Sequence, residues 1–213
     1  MEKKFNMKRN LFLLFILALS LKFYGQTVKE SNDDWKIGVK FSFDNSSSSK
    51  TISNSQYIGY SLEFDKPNHT TGITLERKLS NKFSINSGLE YSNKDFTETY
   101  YCAVCEFITL PLPQTYELRF LQVPINIKYE YQINSFSLFA LSGVTNSFTV
   151  KNQLNENNYL LSGNIGLGMG YKINENWIFE LSSEYNKSFT KLYENANYNQ
   201  KYVGIIIGIK KGL

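Results

Sequence analysis

From Tyr159 onward the chain alternates apolar and polar positions with a period of two. Tyr159, Leu161, Gly163, Ile165, Leu167, Met169, Tyr171 and Ile173 fall on one face. Leu160, Ser162, Asn164, Gly166, Gly168, Gly170 and Lys172 fall on the other. Side chains alternate faces along a strand, so this stretch is a strand with one mainly apolar and one small or polar surface. After a short turn at Ile173-Asn174-Glu175-Asn176-Trp177 the pattern repeats. Trp177, Phe179, Leu181, Ser183 and Tyr185 oppose Ile178, Glu180, Ser182 and Glu184. The apolar faces begin and end in aromatics, and the opposite faces carry glycines and charges. That is the signature of a membrane barrel with lipid outside and a narrow polar interior.

The same alternation predicts six further strands: Trp35–Phe43, Thr70–Leu79, Phe83–Tyr91, Tyr116–Tyr131, Ser135–Val150 and Lys201–Lys210. Two details stand out. Pro124 has no backbone N–H, so its strand needs a bulge or a local break in pairing. The run Phe136-Ser137-Leu138-Phe139-Ala140-Leu141 is apolar on both faces, which leaves its register open. Of the connections, those after the first, third and seventh strands are long, and the one after the fifth is intermediate. Those after the second, fourth and sixth are tight turns. An even-stranded outer-membrane barrel segregates its loops in this way, with long loops outside the cell and short turns in the periplasm. Both termini then fall in the periplasm. Within the first long connection, Tyr57 to Phe64 reads as a hairpin arm above the membrane, and the Ser46–Ser49 run as a solvated linker.

The start of the chain reads differently. Lys3, Lys4, Lys8 and Arg9 precede the apolar run Leu11–Leu21, which is too short to cross a bilayer as a helix. Residues 1–25 read as a cleaved signal peptide, with cleavage between Ser20 and Gly25, and residues 26–213 as the barrel domain. After the leader no run approaches the roughly 20 apolar residues of a membrane helix. A membrane protein without such helices must be a closed barrel, because lipid cannot satisfy an open sheet edge. The fold expected is all-β: an eight-stranded antiparallel up-and-down transmembrane barrel in the outer membrane. A secreted soluble ligand-binding β-barrel or sandwich is the competing reading.

The net charge of +4 resides in the leader, where Lys3, Lys4, Lys8, Arg9 and Lys22 outnumber Glu2. The remainder is balanced, which removes any case for nucleic-acid binding through a basic stripe. Charges concentrate instead on the inward positions. These are Lys36, Lys40, Lys78, Lys128, Lys172 and Lys210, with Glu76, Glu90, Glu130, Glu180 and Glu184. Isolated charges in a narrow lumen are costly, so a paired network is expected. An eight-stranded barrel is just wide enough for side chains to fill, so the barrel is expected to be plugged.

With the strands placed, Leu121-Gln122-Val123-Pro124-Ile125-Asn126-Ile127-Lys128-Tyr129 resembles a recurrent segment of PorT-like outer-membrane β-barrel proteins. The glycine-rich strand Gly163–Tyr171 and the aromatic strand start at Trp177 resemble that family as well. The resemblance implies a small outer-membrane barrel and a link to a secretion system for surface and secreted proteins. It implies no catalytic motif. Outer-membrane barrels usually end in an aromatic residue, whereas this chain ends Lys210-Lys211-Gly212-Leu213.

Candidate chemistry is sparse. Cys102 and Cys105 are the only cysteines and sit in the second long connection. Their spacing reads as a small loop-stapling disulfide, with free thiols or a metal or redox pair as alternatives. Two cysteines without a nearby histidine do not complete a zinc site. His69 is the sole histidine, near Ser61, Glu63 and Thr70, and reads as a solvent-exposed residue at a loop edge. Leu110-Pro111-Leu112-Pro113 reads either as a partner-docking segment or as packing over the barrel mouth. Tyr100, Tyr101, Tyr193 and Tyr198 read as interfacial girdle residues. The expectation is a non-enzymatic barrel without cofactor, metal or catalytic residue. Its expected contacts are outer-membrane lipid and, through its loops, envelope or secretion-complex proteins. A lipid-modifying enzyme and a narrow channel are the alternatives.

Overall fold

The computed structural model describes residues 35–46, 50–53, 58–64, 66–102, 104, 109–152, 158–191 and 199–213. The expected signal peptide, residues 1–25, lies outside them. Twelve strands follow in order: β1 Trp35–Asn45, β2 Lys50–Ser53, β3 Ile58–Glu63, β4 Asn68–Lys78, β5 Phe83–Asn93 and β6 Phe96–Cys102. Then come β7 Gln114–Tyr116, β8 Leu118–Ile133, β9 Phe136–Asn152, β10 Tyr159–Lys172, β11 Trp177–Ser188 and β12 Lys201–Gly212. Eight of them close into an antiparallel barrel in the order β1-β12-β11-β10-β9-β8-β5-β4. Closure is made by β1, where Val39 pairs with Ile209 on one side and Ile73 on the other.

The period-two pattern sets which side is buried. Ile37, Val39, Ile73, Leu75, Ile125, Ile127, Ile165, Ile205 and Ile207 all point outward and are exposed; Leu167 is 69% exposed. Soluble monomers rarely present so continuous an apolar girth to water. Aromatics rim the apolar band. Phe83 with Tyr129 and Phe136 with Tyr171 meet edge-on or tilted at the turn end, their ring centroids 5.2 and 4.9 Å apart. Phe41 with Phe43, and Phe148 with Tyr159, do so at the loop end, at 4.7 and 5.4 Å.

Local chemistry makes the tight turns. Ser80 Oγ accepts from the Phe83 amide at 3.1 Å, and Asn174 Oδ1 accepts from the Asn176 and Trp177 amides at 3.0 and 2.9 Å. Asn134, in the two-residue turn before β9, has φ 53°, a left-handed conformation that asparagine tolerates better than most residues. At Pro124 the β5–β8 register runs from Ser87↔Ile125 directly to Glu90↔Gln122. Gly88 and Leu89 are unpaired opposite Val123 and Pro124, so the break required by proline falls on the β5 side. Ser87 Oγ donates to the Pro124 carbonyl at 2.7 Å across this gap. The structure also fixes β9: Phe139 and Leu141 point inward, Phe136 and Leu138 outward.

The two long connections contain structure that the alternation did not reveal. β2 and β3, between β1 and β4, join β6 and β7, between β5 and β8, in a four-stranded sheet ordered β2-β3-β6-β7. The hairpin arm expected at Tyr57–Phe64 is therefore one strand, β3, of a composite sheet. Pairing between the two connections runs from Ile58↔Cys102 to Glu63↔Thr97. They meet because β4 and β5 are neighbours in the barrel and leave it at the same rim. Tyr116 belongs to β7, so the barrel strand expected from Tyr116 begins instead at Leu118.

Candidate functional site

The barrel interior is polar and arranged in two charged tiers beneath an apolar cap. In the tier nearer the turns, Glu76 is 2% exposed and receives three lysines. Lys210 Nζ lies 2.6 Å from it, and Lys128 and Lys36 each 3.3 Å. Glu180 bridges Lys128 at 2.7 Å and Lys210 at 2.8 Å. Glu130 completes the set, 3.7 Å from Lys128 and 3.9 Å from Lys36. Lysines 36, 128 and 210 thus match glutamates 76, 130 and 180 in number. That balance is what permits ions to stay charged in a place where unpaired charges are costly.

Nearer the loops, Lys40 Nζ lies 2.7 Å from Glu90 Oε1, off the hydrogen-bonding direction. Asp44 accepts from Ser42 Oγ at 2.5 Å, from Thr70 Oγ1 at 2.6 Å, and from Lys94. Thr70 also shares a hydrogen bond of 2.8 Å with Ser92, and Lys94 Nζ sits 3.9 Å from the centre of the Tyr202 ring. Inward glycines make this crowding possible. A Cβ on Gly38 would come within 2.6 Å of Lys210 Cγ, one on Gly166 within 2.6 Å of Glu184 Cγ, and one on Gly168 within 2.4 Å of Phe139 Cζ.

Above the tiers, Leu62, Phe64, Phe96, Leu118, Phe120 and Leu160 form one buried apolar cluster with Tyr116 packed against it. The Phe64 and Phe96 rings are 5.4 Å apart, and Phe96 stacks on Tyr116 at 5.5 Å. Leu118, Phe120 and Leu160 continue the inward faces of β8 and β10, whereas Leu62 and Phe96 come from the loop-end sheet and Phe64 from the residue just after β3. The cluster therefore seats that sheet in the barrel mouth. The described interior includes two small cavities. One, lined by Lys40, Asp44, Glu90, Asn164, Glu184 and Tyr202, leaves about 20 Å³ for the centre of a water molecule. The other, lined by Thr74, Asn126, Lys128, Phe139, Glu180 and Lys210, leaves about 30 Å³. Each is the size of one or two water sites. Thr74 Oγ1, Asn126 Oδ1 and Asn164 Oδ1 have no hydrogen-bond partner among the described residues, so water has acceptors to meet in both.

Residues 11–209 match the family described as outer membrane protein beta-barrel domain. The chain belongs to that family. Among solved structures, the outer membrane protein OprG of Pseudomonas aeruginosa aligns with a TM-score of 0.51 at 15% identity, over 85% of this chain and 96% of that one. Neisserial surface protein A aligns at 0.49 and 9% identity, over 86% and 100%. Ail, the attachment invasion locus protein of Yersinia pestis, aligns at 0.47 and 14% identity, over 86% and 100%. The likeness to OprG concerns the fold alone. A comparison with curated proteins finds no match.

Within this outer-membrane barrel the structure brings together Lys36, Lys40, Glu76, Glu90, Lys128, Glu130, Glu180 and Lys210 as ion pairs, and Glu184 lines both cavities with Lys40. Lys78 and Lys172 are corrections. Both have inward parity, but each is the last residue of its strand, is exposed at the turn-end rim, and makes no ion pair with a described residue. Water reaches them there, so they need no counter-ion. Two members were missed, Asp44 and Lys94. Both extend the inward parity of Lys40 and Glu90 just past the strand ends drawn from sequence.

Other candidates disperse. His69 is on the outward face of β4, not in a loop, and its ring stacks on Phe41 at 6.0 Å. Thr70 points the opposite way, with its hydroxyl engaged by Asp44 and Ser92, while Ser61 and Glu63 belong to β3. Cys102 ends β6 and is disulfide-bonded; Cys105 lies outside the described residues. Tyr100 and Tyr101 lie in β6 of the loop-end sheet, not in the barrel girdle, and Tyr193 and Tyr198 lie outside the described residues. Leu110 to Pro113 are exposed, with Leu112 at 85%; the mouth is packed by the cap cluster instead. Among the described residues, no group of three or more His, Cys, Asp or Glu side chains is placed to hold a metal ion.

Proposed function

We propose that this barrel is a non-enzymatic interaction protein of the outer membrane, which acts through the surface at its loop end. The observation that carries the reading is the division of labour along its axis. The described lumen is filled by the two ion tiers and the apolar cap, whereas a four-stranded sheet with the exposed segment Leu110–Pro113 stands at the rim. A filled lumen favours display over transport. Short turns at the opposite end fit a periplasmic position for that end and for both termini. The resemblance of Leu121–Tyr129 to PorT-like proteins supports a partner in a secretion or envelope-assembly complex.

A photo-crosslinking residue at Leu112 in whole cells tests the reading. The expected result is a discrete adduct whose second component is an envelope or secretion protein. Absence of any adduct, together with steady conductance of the purified protein in planar bilayers, would replace this reading with that of a narrow channel.

A further inference from the structure

Four strand cations point outward near the loop end, and two of them differ from the others. Arg119 on β8 is ion-paired with Asp95 and also donates to Asn93 Oδ1 at 2.7 Å. Lys151 on β9 is ion-paired with Glu117. On the far side of the barrel, Lys187 of β11 and Lys201 of β12 are directly opposite each other in the ladder. Both are exposed, and neither makes an ion pair with a described residue. Side chains opposite each other on antiparallel strands have Cβ atoms about 5 Å apart, and like charges placed there repel. Left to themselves, the two ammonium groups destabilise the rung they share.

Their height on the barrel suggests what relieves this. The next rung toward the membrane is Tyr185↔Val203, followed by Ser183↔Ile205, and Tyr185, Val203 and Ile205 are all exposed on the lipid-facing surface. Two residues along a strand advance about 7 Å. The lysine rung therefore sits inside the aromatic margin at the loop end of the apolar band, between exposed Tyr185 on the membrane side and exposed Phe189 beyond it. Lysine stems can lie along apolar surface while the ammonium groups reach the headgroup level. An anion with several oxygens can accept from both groups at once.

We propose that Lys187 and Lys201 form a headgroup site for a lipid phosphate, on the β11–β12 face of the barrel at its loop end. The bound phosphate turns a repulsive rung into a cation–anion–cation bridge. The barrel consequently has one lipid-binding side, since the corresponding cations on β8 and β9 are neutralised by the protein's own acids.

Native mass spectrometry of the intact barrel, released from micelles doped with phosphatidylglycerol or phosphatidylcholine, tests the site. The wild-type protein is expected to retain phosphatidylglycerol preferentially. Retention should fall about fivefold for each lysine removed, in K187Q and then in K187Q/K201Q. K151Q, at a cation already paired with Glu117, should leave it unchanged. Unfolding followed by heat-modifiable gel migration gives a second readout. In phosphatidylcholine micelles K187Q/K201Q should unfold at a higher temperature than wild type, because the repulsion is gone. Added phosphatidylglycerol should raise the wild type and not the variant. Equal retention by wild type and K187Q/K201Q would overturn the proposal, as would full displacement of the lipid by soluble glycerol phosphate.

Discussion

Lys94 donates to Asp44 inside the barrel, joining the two-residue step between β5 and β6 to the loop end of β1. Both side chains are almost wholly buried, at 1% and 3% exposure. The ion pair fastens the base of the loop-end sheet to the barrel wall. Removing one partner strands the other charge, which costs about 3–5 kcal/mol, whereas removing both costs much less. D44N and K94M should each loosen the sheet, and D44N/K94M should recover part of the loss. Hydrogen exchange of the β6 amides in detergent micelles reads this cycle. Additive effects of the two substitutions would show that the pair is not a unit.

Glu76 holds three lysines, so its loss should be felt more widely than that of any one lysine. E76Q leaves Lys36, Lys128 and Lys210 sharing Glu130 and Glu180. The expected destabilisation is about 3–5 kcal/mol. Urea titration of the folded band on unheated gels would measure it, with K36Q as the milder comparison, since Lys36 is the most solvent-exposed of the three.

Gly168 faces Phe139 at a distance that leaves no room for a methyl group. G168A should destabilise the barrel by about 1–3 kcal/mol, the usual cost of overpacking. Combining G168A with F139L should restore part of the loss by removing the phenyl tip, while Ser182 Cβ at 2.6 Å and the Leu181 carbonyl oxygen at 2.8 Å still crowd the added methyl. The same urea titration decides it: no recovery in G168A/F139L would make Ser182 and the Leu181 carbonyl the real obstacle.

Glu98, on β6 of the loop-end sheet, has its carboxyl pushed above the usual value by burial, against a hydrogen bond with Tyr116 that lowers it. A carboxyl whose folded value is raised holds its proton more tightly in the sheet than in the unfolded chain. Its contribution is full below the ordinary carboxylate range and is lost as pH rises through the raised value. Exchange of the β6 amides should therefore quicken as pH rises across that window, beyond the intrinsic base dependence of exchange. E98Q should flatten the excess.

All eight barrel strands were legible because lipid and lumen impose opposite demands on successive residues. Trp35–Phe43 and Phe83–Tyr91 alternate so strictly that their inner faces could be read directly. Their ends could not. Asp44 and Lys94 keep the parity, but they lie where the apolar partner positions give way to polar loop residues and the contrast vanishes. Lys78 and Lys172 fail for the complementary reason: parity gives the side of the wall a residue is on, not whether water reaches it. Of the loop-end sheet only the arm at Tyr57–Phe64 was legible, for a different reason. β3 and β6 are short, and each completes its pairing only with a segment from another connection. Leu62, Phe64 and Phe96 bury themselves in the barrel mouth, a location that no local pattern encodes.

The pairing of β3 with β6 makes the two long connections each other's template. Lengthening or shortening either one alone would shift the ladder by a residue and turn Leu62 or Phe96 from the barrel mouth toward water. These two segments are therefore expected to diversify as a unit, with compensating changes in both. A lineage altering what this surface recognises would have to edit two separated stretches of its gene in step.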